Sequence, residues 1–162
     1  EPKVVKYMDV PLQHASGRVL KAMNRRGDKE YLLGLMQHIR EKVPGIVLRT
    51  TFITGFPGET EEDFAELTDL VREVRFERLG CFTYSLEDGT PAYDMPDQID
   101  EETKRRRAEI VMSEQMAIAE AFARSLIGRE RRGAGYRKRA LLRPQLHGRP
   151  GHRYPGVVRF AL

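Results

Sequence analysis

Apolar residues recur along the first 128 positions in two alternating patterns, short β-branched runs and longer runs with helical spacing. The short runs predict three strands, at residues 4–12, 46–54 and 79–85. The second run is apolar or β-branched at nearly every position, which is typical of a strand that is covered on both faces. The first run ends at a proline, where a strand commonly stops.

Four helices are predicted from capping residues that precede runs of helical period. Ser16 and Asp28 are candidate N-caps of a short and a longer helix, and Thr60 with Asp63 forms a capping-box pattern. Asp100 precedes a long helix, and Gly128 stands where a C-terminal cap belongs. The apolar stripes expected to face the core are Val19, Leu20 and Met23; Leu32, Leu35, Met36, Ile39 and Val43; Phe64, Leu67, Val71 and Val74; and Val111, Ile118, Phe122 and Leu126.

Strands that alternate with helices of this length predict an α/β fold with a parallel sheet. Right-handed crossovers then bring the strand-to-helix loops to one edge of the sheet, where α/β enzymes carry their active sites. Three such loops occur, at residues 11–16, 54–60 and 84–92.

Composition places the chain among globular domains. It has 162 residues, 40% of them apolar, so it can bury a core without a disulfide or a metal. The single cysteine, Cys81, excludes a disulfide framework and suggests a reducing, cytoplasmic location. No apolar run approaches the roughly 20 residues that span a bilayer, so we expect no membrane partner.

Charge is distributed unevenly between two parts of the chain. Residues 129–162 hold ten Lys or Arg and one acid, whereas residues 1–128 hold 18 basic and 23 acidic residues. This division predicts a domain boundary near Gly128, followed by an irregular tail rich in glycine and proline. The basic tail also supports a different class of function, a non-catalytic nucleic-acid-binding module.

The loop at 54–60, TGFPGET, has the most suggestive chemistry. Its glycines, Gly55 and Gly58, could let backbone amides approach a ligand at the start of a helix. The alternative is a tight turn in which Glu59 only complements the helix dipole. A phosphate-binding P-loop is not indicated, because no GKS or GKT sequence follows.

Other polar residues of this region each have a functional and a structural interpretation. Gln13, His14 and Ser16 follow the first strand and could hydrogen-bond a ribose or a carboxylate, although we favour a locally satisfied His14. Arg49 lies in an apolar strand and needs either a ligand carboxylate or an acid such as Asp9. We expect Cys81 to be an inert core thiol, and the basic run at 104–107 to be a solvated helix face.

Three stretches resemble the radical S-adenosylmethionine (SAM) methylthiotransferases, in the family's order and spacing. They are YMDVPLQHASGRVLKAMNRRG (7–27), LRTTFITGFPGETEEDF (48–64) and FTYSLEDGTPAYDMPDQI (82–99). The resemblance covers about residues 3–128 and implies the last three βα units of a partial, TIM-barrel-like radical SAM barrel. PLQHAS and YSLEDGTPA are similar to the RimO branch, which modifies an aspartate of ribosomal protein S twelve, a small-subunit protein. The alternative is the MiaB branch, which modifies tRNA.

The resemblance also implies a set of ligand-binding residues for SAM. The turn formed by Gly55, Phe56, Pro57, Gly58 and Glu59 would border the adenine. Gln13, Ser16 and Arg49 would be candidates for the ribose and the methionine carboxylate, and Tyr84 and Ser85 would close the pocket.

The family's chemistry also requires two [4Fe-4S] clusters, one of them held by a CxxxCxxC motif. This chain has only Cys81, so we expect no metal ligands, no catalytic residues and no activity from this chain alone. A partial barrel would also expose the edge of its first strand, at residues 4–10, and could self-associate there.

In the family, a β-rich TRAM domain would begin near Gly128, but the tail does not resemble one. Residues 143–154 can be back-translated so that the next reading frame spells GRSYMDAPDID, a segment of the RimO branch. We therefore expect that residues 129–162 are an aberrant or disordered tail produced by a frameshift just after Glu130.

Overall fold

The computed structural model describes residues 4–128 of the chain, together with the backbone of residues 130–132 and 157–159. Residues Lys6–Phe122 form one compact unit, and the other described residues, 4–5 and those from 123 onwards, belong to a second. None of the helices in these described ranges is long and apolar enough to cross a membrane.

The first unit has the predicted α/β architecture. Its parallel sheet has the order β1 (Tyr7–Asp9), β2 (Val47–Thr54) and β3 (Arg78–Thr83). Helices α1 (Gly17–Ala22) and α2 (Lys29–Lys42) connect β1 to β2, and α3 (Glu61–Val74) connects β2 to β3. Helix α4 (Glu101–Ser125) follows β3. Each strand is therefore followed by one or two helices, and because the strands are parallel, the three strand-to-helix loops lie at the same edge of the sheet.

Strand β1 is shorter than the sequence predicts. Its ladder with β2 ends at Asp9, and pairing resumes only at the bridge between Gln13 and Phe52. Between these points the hydroxyl of Thr50 donates to the carbonyl oxygen of Val10 at 2.9 Å. The interruption falls at Pro11, which has no backbone amide to offer a ladder.

The core lies on one face of the sheet. Along β2, Leu48, Thr50, Phe52 and Thr54 are buried, whereas the residues between them are only half-buried. The prediction that this strand is covered on both faces is therefore wrong for the described residues. We call the less buried side the open face; it carries Arg49, Thr51 and Ile53, in register with residues 78, 80 and 82 of β3.

The predicted helix caps are largely confirmed. Asp28 accepts a hydrogen bond from the amide of Tyr31 at 2.9 Å, and Asp100 accepts one from the amide of Thr103 at 2.8 Å. Thr60 and Asp63 form the reciprocal capping box at the start of α3. Such caps satisfy amides that the first turn of a helix leaves without partners.

The second unit contains a short antiparallel pair, β4 (Glu130–Arg132) and β5 (Val157–Arg159). Gly128, just before it, has a positive φ of 75°, but α4 already ends at Ser125, three residues before the predicted cap. Residues 129, 133–156 and 160–162, which include most of the predicted aberrant tail, lie outside the described residues.

Candidate ligand-binding edge of the sheet

The turn after β2 is closed by polar groups of the turn itself and of the segment that follows β3. The amide of Gly55 donates to Oε2 of Glu59 at 2.7 Å, and the amide of Gly58 donates to the carbonyl oxygen of Asp97 at 2.9 Å. The side chain of Glu59 is fully buried. Because both glycine amides already have partners, they do not form an open cradle for a ligand, and the geometry supports the tight-turn alternative.

Gly55 is required by the approach of helix α4. It has a φ of 74°, and a Cβ added there would lie 2.2 Å from Cγ of Lys104. No real side-chain contact is this short, so any larger residue would force the turn and α4 apart. The glycine therefore serves close packing between the turn and α4, a demand that sequence alone does not distinguish from close approach of a ligand.

Glu59 is the centre of a buried ion-pair cluster. Its Oε1 accepts a hydrogen bond from Nη1 of Arg107 at 2.8 Å, and Nη2 of Arg107 donates to Glu61 at 2.8 Å. Burial alone lowers the pKa of Arg107, but the hydrogen bond with Glu61 and the charges of both glutamates raise it overall. Arg107 is therefore a cation that holds the side chain of Glu59 in place through a charge-assisted hydrogen bond.

The prediction of a solvated face for the run at 104–107 is wrong for two of its four residues. Lys104 and Arg107 are each only 3% exposed, while Arg105 and Arg106 are exposed. Residues three apart share one side of a helix, so one basic pair faces the turn and the other faces solvent. Lys104 pairs with Glu101 on the same helix, and Arg107 pairs with Glu59 and Glu61, which are more than 40 positions away. The composition of the run does not reveal the distant partners, so it wrongly indicates a solvated face.

His14 is buried, and among the described residues only one of its two ring nitrogens has a hydrogen-bond partner. Its side chain is fully buried, and its Nδ1 accepts a hydrogen bond from the amide of Ser16 at 3.0 Å. An accepting Nδ1 places the proton of a neutral ring on Nε2, which lies 3.4 Å from Oε2 of Glu59. Among the described residues, no group of three or more His, Cys, Asp and Glu is arranged to hold a metal ion.

Ser16 has a structural partner in place of the predicted ligand contact. Its hydroxyl donates to Oδ1 of Asp63 at 2.6 Å, and its own side chain does not cap α1. Burial alone raises the pKa of Asp63, but hydrogen bonds from Arg18, Ser16 and Thr60 outweigh it and hold that pKa well below its ordinary value. Ser16 is 3% exposed, so we do not retain it as a ligand-binding residue.

Gln13 occupies a strained position beside the end of β2. Its backbone has a φ of 72°, although it is not a glycine. It is held there by two hydrogen bonds to β2, from its amide to the carbonyl oxygen of Thr51 and from the amide of Ile53 to its own carbonyl oxygen, each 2.8 Å. Such strain costs about 1–3 kcal/mol and is concentrated at functional sites. The half-buried side chain of Gln13 therefore keeps its place as a candidate ligand contact.

Arg49 lies on the open face, away from the loop edge. It precedes the end of β2 by five residues, a distance of about 17 Å along an extended strand. Its Nη1 donates to Oδ2 of Asp9 at 2.5 Å, which is the structural pairing considered from the sequence. Its side chain remains 37% exposed, and its Nη2 lies near Gly80 of β3.

Tyr84 and Ser85 follow β3 at the loop edge. The amide of Tyr84 donates to the carbonyl oxygen of Thr54 at 2.8 Å, and its ring packs edge-to-face on Phe56 with centroids 5.3 Å apart. The phenolic oxygen is buried without a hydrogen-bond partner among the described residues. Ser85 is exposed. Gln13 and Tyr84 therefore flank the end of β2 from opposite sides.

Cys81 is partly buried in β3 and packs against the core. Burial raises the pKa of its thiol to about 12, which keeps it protonated and unreactive at neutral pH. With this one cysteine the chain cannot supply the three thiolates of a [4Fe-4S] cluster, so its residues do not fit such a group.

Comparisons with known proteins show which proteins the chain is similar to. The sequence pattern of the Radical SAM superfamily matches residues 2–71. A ribosomal protein uS12 methylthiotransferase RimO from Anaeromyxobacter sp. (strain K) is 50% identical over 129 residues, covering 80% of this chain and 28% of the relative. Its counterpart from Pelotomaculum thermopropionicum is 56% identical over 117 residues, covering 72% of this chain and 26% of the relative. The chain thus spans less than a third of the length of the curated relatives it matches.

A solved structure supports the fold alone. Coproporphyrinogen III oxidase (HemN) from Escherichia coli, described as a radical SAM enzyme, superposes with a TM-score of 0.58 at 22% identity. The superposition covers 70% of this chain and 27% of that enzyme.

Proposed function

The chain belongs to the radical SAM methylthiotransferase family, and we propose that it forms part of the SAM-binding side of an enzyme that adds a methylthio group to an aspartate of ribosomal protein uS12. The observation that carries this proposal is the 50% identity over 129 residues to a RimO methylthiotransferase. Since that relative is far longer, the activity is proposed for a complete enzyme that contains this segment. An enzyme that acts on a ribosomal protein is expected in the cytoplasm.

The open face and the loop edge supply the groups for binding SAM in this proposal. Gln13 and Tyr84, on either side of β2, offer an amide and a phenol for the hydroxyl and nitrogen atoms of an adenosine. Ser85 adds an exposed hydroxyl beside them. Phe56 contributes an aromatic edge next to Tyr84, while Gly55, Pro57, Gly58 and Glu59 hold the turn in shape.

Arg49 is the proposed partner of the methionine carboxylate. A guanidinium group has five donors, and its bond to Asp9 leaves others available on the open face. Charge-assisted pairing of arginine with a carboxylate is among the stronger polar interactions. Asp9 then orients the guanidinium group of Arg49 and occupies only one of its hydrogen-bond donors.

The chain alone is proposed to be inactive, because the radical chemistry requires cluster thiolates that its sequence does not contain. In this proposal the residues of the chain bind and orient SAM and shield it from water. Reconstitution of the isolated chain with iron and sulfide should leave no stoichiometric iron bound. Bound iron together with reductive cleavage of SAM would contradict this part of the proposal.

Binding is tested by titrating the purified chain with SAM in a calorimeter. Arg49→Met should weaken binding about tenfold or more, since a hydrogen bond to a charged group contributes about 1.5–3 kcal/mol. Arg78→Met is the matched control, because Arg78 is the exposed register neighbour of Arg49 on β3. Equal losses in both variants would show that only general charge is involved and would remove Arg49 from the proposal.

The substrate is tested in a chimera. Residues 6–122 of this chain replace the matching segment of the Anaeromyxobacter relative, and the mass of ribosomal protein uS12 is measured after incubation with ribosomes. The expected result is the methylthio adduct on one aspartate. A chimera that folds and holds its iron but modifies tRNA instead, or modifies neither, would overturn the proposed substrate.

A further inference from the structure

Lys104 is a buried lysine whose position the proposed function does not by itself explain. It is 3% exposed, yet its sequence context is that of a solvated basic run. Its ammonium group donates to the carbonyl oxygen of Tyr84 at 3.2 Å and pairs with Glu101 at 2.6 Å. Burial of an ammonium group is costly unless partners compensate, and here the carbonyl oxygen of Tyr84 and the carboxylate of Glu101 are those partners.

The two ends of the Lys104 side chain contact two different loops. Its stem fills the space beside Gly55, in the turn after β2. Its ammonium group binds the backbone of Tyr84, in the loop after β3, and lies 5.3 Å from the centre of the Tyr84 ring. In addition, the hydroxyl of Thr54 donates to the carbonyl oxygen of Lys104 at 3.3 Å. One side chain therefore spans the two loops at the edge of the sheet.

The phenol of Tyr84 is an unsatisfied polar group at the same edge of the sheet. Its oxygen is buried and has no hydrogen-bond partner in the part of the chain that the structure describes. A buried hydroxyl without a partner costs about 1–3 kcal/mol, and a bound polar ligand would recover this loss. The ring packs against Phe56, and the ammonium group of Lys104 lies 5.3 Å from its centre.

We propose that Lys104 is a positioning residue that sets the spacing between the Gly55 turn and Tyr84 before SAM binds. Its stem fixes the turn and its ammonium group fixes Tyr84, so the two loops are ordered in advance and little ordering remains to oppose binding. This inference rests on the proposed function for its ligand, but the coupling between the loops is a property of the chain alone.

The test compares three variants of the 162-residue chain. Lys104→Met keeps an unbranched stem beside Gly55 and removes the ammonium group, and Lys104→Arg keeps the positive charge. Arg105→Met is the matched control, because Arg105 is the exposed neighbour on the same helix. Should Lys104→Met fail to fold, Lys104→Gln provides the same loss of charge with a polar head.

Three quantities are measured: hydrogen exchange of the Tyr84 amide, hydrogen exchange of the Phe52 amide, and the affinity for SAM. In Lys104→Met we expect exchange at Tyr84 to become about tenfold faster while exchange at Phe52 in the core is unchanged. The affinity for SAM should fall about tenfold, with recovery in Lys104→Arg and no change in Arg105→Met.

The outcomes separate this inference from the proposed function. If exchange at Tyr84 in Lys104→Met equals that in Arg105→Met, the positioning role is overturned, whatever the affinity. If exchange at Tyr84 responds but the unaltered chain shows no affinity for SAM, the coupling between the loops stands and the proposed SAM site fails. If exchange at Tyr84 and Phe52 accelerates equally, Lys104 only stabilises the fold and the positioning role is likewise overturned.

Discussion

Replacing Gly55 by alanine tests the close packing between the turn after β2 and helix α4. The added Cβ would lie 2.2 Å from Cγ and 3.0 Å from Cβ of Lys104. The lysine cannot easily move away, because its ammonium group is held by Tyr84 and Glu101. The substitution must therefore displace either the turn or α4.

Two terms contribute to the expected loss of stability. The backbone of Gly55 has a φ of 74°, and an alanine in this region costs about 1 kcal/mol. Overpacking of a buried contact adds about 1–3 kcal/mol. The free energy of unfolding should therefore fall by about 2–4 kcal/mol, which lowers the urea midpoint by about 1–2 M for a domain of this size.

Gly89→Ala is the matched control, because Gly89 has a φ of 76° and a Cβ added there would meet nothing within 4 Å. It should lose only the backbone term of about 1 kcal/mol. Combining Gly55→Ala with Lys104→Ala should recover at least about 1 kcal/mol relative to additivity. Equal losses in Gly55→Ala and Gly89→Ala, or strictly additive effects in the double variant, would refute the close approach of Lys104.

Four further predictions follow from individual contacts. The folded-state pKa of Asp63 lies below its unfolded value of about 3.9, so the ionised carboxylate stabilises the fold above that pH, and this stabilisation is lost as the pH falls further. Asp63→Asn should therefore lower the free energy of unfolding by about 2 kcal/mol at pH 7. In urea titrations, the stability difference between the variant and the unaltered chain should shrink below about pH 4. Cys81, with a pKa of about 12, should react with a thiol reagent at pH 8 roughly a thousandfold more slowly than an ordinary cysteine, and a rate near that of free cysteine would contradict its burial. The exposed strand β1 should allow concentration-dependent association that sedimentation detects and Tyr7→Lys weakens, whereas a monomer at all concentrations would oppose it. The coding DNA after Glu130 should contain the family's GRSYMDAPDID segment in the next reading frame, and its absence there would end the frameshift hypothesis.

Sequence patterns alone were sufficient for the fold class and for most helix starts. The capping residues Asp28, Thr60 and Asp100 act on amides within three positions, so their effect is local and visible in the sequence. The apolar stripe of α3 was also predictable, because a helix of period 3.6 must present such a stripe to the core. Family membership followed in the same way, from motifs that are contiguous in the chain.

Only the tertiary structure decided which charged and polar groups serve the fold and which remain for a ligand. Glu59 and Arg107 are 48 positions apart, as Ser16 and Asp63 are 47 apart, and no local pattern links such partners. The sequence predicts a close approach to the glycine turn, but it does not identify the approaching group. That group is the stem of Lys104, which the packing of α4 brings next to Gly55. The physical reason is that a buried charge requires a partner in space, whereas periodicity and capping report only on neighbours along the chain.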